Sequence, residues 1–97
     1  CFFMLYAKPD NGGAVVRVLE GPIPLDQYEG DRGAVAANHG LPRFRHASFH
    51  TAYPFAQVLL ADPAVPLQVR LEAFNPLIPG NADDSGLPIA ILRFVLH

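Results

Sequence analysis

Ten prolines and eight glycines interrupt a chain of 97 residues. Proline removes a backbone donor and clashes inside a helix, and glycine weakens regular structure, so these residues leave little room for long helices. The segments between them are short, and their apolar spacing decides the fold class. Residues 2–7 are aromatic-rich and end in Lys8-Pro9-Asp10-Asn11-Gly12-Gly13, strong turn chemistry. Residues 14–20 follow as Ala-Val-Val-Arg-Val-Leu-Glu, short and β-branched, which predicts a hairpin with residues 2–7. The stretch 21–41 has no sustained period and reads as a long surface loop, with 34–37 as its one candidate helical turn. Extended patterns resume over 43–53 and 55–61. Over 67–73 alternation is strict: Leu67, Val69, Leu71 and Ala73 share one face, while Gln68, Arg70 and Glu72 share a wet one. Residues 89–96 are apolar on both faces except Arg93, which predicts a strand covered on both sides. Six short strands separated by turns predict an all-β fold, an antiparallel β-sandwich or part of one, with long irregular loops.

Composition narrows the function. Apolar residues make up 51% of the chain and charged residues only 16%, against about 25% in ordinary domains, which excludes intrinsic disorder. A net charge of −2 provides no electrostatic footprint, so no nucleic-acid partner is expected. The length allows one domain at most. A single cysteine, Cys1, excludes an internal disulfide framework, and with no basic leader before the first apolar run it points to the cytoplasm. Both ends lie inside apolar runs that look cut through strands, which predicts a piece of a longer protein.

Candidate chemistry is sparse. His46 and His50 have the spacing of metal ligands on a helix, but on a strand at about 3.3 Å per residue they stand roughly 13 Å apart, too far for one zinc. They read as two solvent-facing side chains on one strand face, and His39 in the long loop has no supporting ligand pattern. Asp83 and Asp84 lack the full spacing of a calcium loop, so Asp84 and Ser85 are expected to bind nearby backbone amides and fix a turn. Asp62 before Pro63 is likewise a turn residue, and Glu72 is expected to pair across strands. Neither serine, Ser48 nor Ser85, lies in a nucleophile turn, and Gly12-Gly13 lacks phosphate-loop context, so no cofactor is expected. Arg43-Phe44-Arg45 is consistent with a sugar or anion contact, yet the simpler pattern is an inward Phe44 between two outward arginines.

Residues 71–90, Leu-Glu-Ala-Phe-Asn-Pro-Leu-Ile-Pro-Gly-Asn-Ala-Asp-Asp-Ser-Gly-Leu-Pro-Ile-Ala, resemble the signature of the N-terminal domain of glycoside hydrolase family 116, the non-lysosomal glucosylceramidases and β-glucosidases. Tyr53-Pro54-Phe55-Ala56 and Asp62-Pro63-Ala64-Val65-Pro66-Leu67 are similar to the preceding strand pair of that family. The resemblance implies a fragment, residues 1–97, of one N-terminal β-sandwich belonging to a retaining enzyme that acts on a β-glucoside or glucosylceramide. It also implies a separate (α/α)6 helical domain holding both catalytic carboxylates, so no catalytic, cofactor or metal residue is assigned within these residues. The segment from Phe74 to Pro88 then reads as a structural crossing. Pro76, Pro79 and Pro88 stiffen it, while Asn75, Asn81, Asp84 and Ser85 satisfy turn amides and help hold the sandwich against the helical domain.

Two other classes compete. An independent carbohydrate-binding sandwich presents a row of exposed aromatics. Here there is no tryptophan, and the three tyrosines, Tyr6, Tyr28 and Tyr53, are scattered. An interaction domain would offer exposed strand edges to a partner.

Overall fold

Short segments bounded by turns pair with their neighbours along the chain. The computed structural model describes residues 2–24, 26 and 40–97. Strand β1, Met4–Ala7, and strand β2, Val15–Val18, form an antiparallel hairpin with Met4 opposite Val18 and Ala7 opposite Val15. The helical turn expected at 34–37 and His39 lie outside the described residues. At 42–44 the chain runs beside β2. The amide of Val18 donates to the carbonyl of Pro42 at 2.7 Å, the amide of Phe44 donates to the carbonyl of Glu20 at 3.1 Å, and Arg43 forms a parallel bridge with Val18. Phe44 turns inward, with 1% of its surface exposed.

Strands β3 (His46–Ala52), β4 (Phe55–Ala61), β5 (Val69–Phe74) and β6 (Ile91–Leu96) form a four-stranded antiparallel sheet in chain order. Tyr53 and Pro54, joined by a cis peptide bond, make the turn between β3 and β4. Between β5 and β6 the expected irregular crossing contains one helical turn, α1, Ala82–Ser85. The strands are shorter than alternation predicts. Residues 43–45 are engaged beside β2 rather than in β3, and residues 89–90 precede β6.

Pleating sorts the sheet into two faces. Aligned across it, Ala47–Leu60–Val69–Leu96, Phe49–Val58–Leu71–Phe94 and Thr51–Ala56–Ala73–Leu92 make one almost wholly apolar face. The hairpin lies over this face. Phe44, Leu60, Val65 and Val69 form the buried cluster, and Leu5, Val15, Leu19, Val58, Leu67 and Phe94 pack around it. Phe3 meets Phe94 with ring centroids 5.0 Å apart. Each fully buried side chain of this size contributes about 1.5–3 kcal/mol. The result is a partial all-β sandwich in which two strands cover part of a four-stranded sheet.

That coverage ends before the sheet does. Phe49 and Leu96 remain more than half exposed, and Leu92 is nearly so. The last strand is therefore not covered on both sides, as its apolar run predicts. It is an edge strand, and the hairpin reaches it by way of Phe3 on Phe94.

Gly21, where the chain leaves β2, lies so close to β3 that a Cβ there would fall 2.5 Å from the Cβ of Ala47. Two carbons cannot occupy that separation, so the approach of the two layers requires glycine. Gly21→Ala is expected to cost about 1–3 kcal/mol through overpacking and to lower the melting temperature. Adding Ala47→Gly removes the clash, and thermal denaturation of the double variant is expected to recover much of the loss.

Candidate functional site

Three clusters of polar side chains stand out, and the first joins the layers. Asp62 follows β4 and is 5% exposed. Its Oδ1 accepts the amide of Ala64 at 2.9 Å, the turn role expected of it. Sequence reasoning missed the rest: Oδ2 accepts Nε of Arg17, from β2, at 3.0 Å, and Nε of Arg45 stands 3.8 Å from Oδ1. The amide of Ala64 and then the guanidinium of Arg17 hold this carboxyl below the usual aspartate range, against burial, which pushes it up. Because its pKa is lower in the folded state than the ordinary value of about 3.9, its contribution to stability is complete above that value. The contribution is lost as pH falls through the native pKa. Arg17→Ala is expected to raise the Asp62 pKa and move acid unfolding to higher pH, as followed by circular dichroism across an acid titration. An unchanged acid midpoint would mean that the pair does not join the layers.

The second cluster is the crossing at 75–90. Pro79 and Gly80 occupy the centre of a turn closed by the amide of Asn81 donating to the carbonyl of Ile78 at 3.0 Å. Gly80 has φ of +80°, the left-handed value that this proline–glycine turn demands. Asn81 then caps α1: its Oδ1 accepts the amide of Asp84 at 3.0 Å, and its Nδ2 donates to Oδ2 of Asp84 at 2.5 Å. Ser85 Oγ accepts the amide of Ile78 at 2.9 Å and donates to the carbonyl of the same residue at 3.0 Å. Pro79, Asn81, Asp84 and Ser85 thus come together in one clamped loop. Asn75, Pro76 and Pro88 flank it, and Asn75 contributes no side-chain hydrogen bond to the turn. Leu77, Ile78, Leu87 and Ile89 project from this loop, each nearly half exposed.

The third cluster occupies the sheet face turned away from the hairpin. Strand register aligns His50, Gln57, Glu72 and Arg93 in one row across all four strands. Oε2 of Glu72 lies 3.6 Å from Arg93, and its Oε1 lies 3.0 Å from Nε of Arg70. The Arg70 N–H does not point at that oxygen, so this contact is an ion pair without a hydrogen bond. Two residues along the strands, Phe55 and Phe74 stand side by side with ring centroids 6.0 Å apart. Row and ring pair border a trough of about 440 Å³. A second trough of about 400 Å³, beside His46, Ser48 and His97, occupies the other end of the face. His46 and His50 are both exposed on this face, as their spacing on a strand requires. Among the described residues, no group of three or more His, Cys, Asp or Glu side chains is placed to hold a metal ion. Sequence reasoning missed both the row and the ring pair, since alignment across strands carries no local signal.

Among the described residues, no helix is long and apolar enough to cross a membrane. A family model described as beta-glucosidase 2, glycosyl-hydrolase family 116 N-term, matches residues 1–97, the whole chain. No curated protein matches the chain.

Proposed function

From a chain that belongs to the N-terminal family of glycosyl-hydrolase family 116, we propose a non-catalytic part of a β-sandwich supporting the helical catalytic domain of a retaining β-glucosidase or glucosylceramidase-like enzyme. The observation that carries this reading is a family match running from the first residue to the last. The carboxylates add support. Asp62 is committed to arginines, Glu72 lies between Arg70 and Arg93, and Asp84 accepts a hydrogen bond from Nδ2 of Asn81. Each of the two troughs on the sheet face turned away from the hairpin holds at most one carboxylate, whereas glycoside hydrolysis by the common route uses two facing each other. The reacting acids, the β-glucoside site and the remaining strands of the sandwich are then supplied by the rest of the parent protein, which we place in the cytoplasm.

The clamped crossing is the surface we assign to the contact with the helical domain. Its four apolar side chains need covering, and its hydrogen bonds hold them in one arrangement before contact. In the full-length enzyme, Asp84→Ala combined with Ser85→Ala removes several hydrogen bonds worth about 1 kcal/mol each and is expected to lower the melting temperature by a few degrees. Unchanged thermal stability would remove the crossing from the contact. Residues 1–97 alone are expected to show no hydrolysis of an aryl β-glucoside. Turnover that depends on a carboxylate of this chain would overturn the reading.

A further inference from the structure

We propose that the trough beside Phe55 and Phe74 is an accessory binding site for a short β-linked glucose chain, separate from any site of hydrolysis. The choice of sugar class rests on the β-glucosidase reading above, and the site itself rests on geometry. Ligand troughs are mostly apolar with a few convergent polar groups, and this one has two phenyl rings on one side and a polar row on the other. The ring pair and the row are two residues apart along each strand, about 6.6 Å, and neighbouring members of the row are about 4.8 Å apart. A pyranose has apolar C–H faces and a rim of hydroxyls. Laid against Phe55, which is 60% exposed, it presents that rim to Gln57, Glu72 and Arg93.

The row has hydrogen-bonding capacity to spare. The side chains of His50 and Gln57 make no hydrogen bond among the described residues, and the Arg93 side chain is 71% exposed with its carboxylate partner at 3.6 Å. Its charges are of mixed sign, one carboxylate and one guanidinium beside a neutral amide, which suits a neutral polyhydroxylated ligand better than an anion or a cation. The missing tryptophan, which counts against sugar binding in the sequence, is offset by two phenylalanines that only strand pairing brings together.

The test uses the full-length enzyme with its catalytic site filled by a fluorinated glucoside that traps the nucleophile, and cellotetraose as the probe in isothermal titration calorimetry. Blocked enzyme is expected to bind cellotetraose. Arg93→Ala should weaken binding at least about tenfold, the size of one lost hydrogen bond to a charged group, and Gln57→Ala about threefold to tenfold, the size of a neutral one. Phe55→Ala should weaken it at least as much, while unblocked variants hydrolyse an aryl β-glucoside at the original kcat/KM. Arg93 is exposed, so its variant carries the test even where Phe55→Ala lowers stability. No binding by the blocked enzyme, or binding undiminished in the Gln57 and Arg93 variants, overturns the accessory site while leaving the glycosidase reading intact. An unblocked enzyme that does not cleave aryl β-glucosides overturns both.

Discussion

Apolar packing draws the hairpin onto the sheet, but packing between flat faces has little directional preference, and something must fix where one layer sits on the other. Asp62 supplies that constraint. Its carboxylate takes an amide from its own loop, a guanidinium from β2 and the charge of Arg45 just before β3, so three separate stretches of chain converge on one group. Hydrogen bonds to a charged acceptor are shorter and roughly twice as strong as neutral ones. With Arg17 held there, β2 lies over Leu60 and Val69, and Phe44 can fill the space between the layers. The close approach at Gly21 belongs to the same junction: layers pinned at Asp62 leave no room for a side chain where β2 hands over to β3.

Much of the architecture is legible in the sequence because its signals are local. Strict alternation around Val69–Phe74 marks both the strand and its wet face, and Glu72 does find its partner across strands in Arg93. The inward Phe44 follows from the alternation of Arg43-Phe44-Arg45, but only Arg45 is outward: the Arg43 side chain is 13% exposed and pairs with Glu20. The turn role of Ser85 and Asn81 follows from short polar side chains in a segment rich in proline; Asp84 accepts the side-chain Nδ2 of Asn81 rather than a backbone amide, and Asn75, of the same chemistry, is not used in the turn. What stays hidden depends on which residues from distant segments become neighbours. Asp62 reads as a turn residue because its bond to Ala64 is local, while Arg17 is 45 positions away. The rings of Phe55 and Phe74 meet only through the register of β4 and β5. The apolar run at Ile91–Leu96 misleads for a related reason: the hairpin ends short of the sheet edge, so apolar character there records surface left open in this chain rather than burial within it.

The two faces of the sheet divide the work. One carries hydrophobic rows and holds the fold together, and the other sets one polar row, His50–Gln57–Glu72–Arg93, between an apolar row and a mixed one and is crossed by an arginine–glutamate–arginine chain. Neither face brings two carboxylates into one cleft.

The loop closed by Ser85 on Ile78 has a further consequence. A proline–glycine turn, a capped helical turn and a two-way hydroxyl contact determine its backbone from within, over fewer than a dozen residues. Leu77, Ile78, Leu87 and Ile89 are therefore displayed on a preorganised mount, and little conformational freedom is left to lose when another surface closes over them. A surface closing over them would meet a rigid body, and its fit would be ruled by shape and water exclusion rather than by folding upon contact.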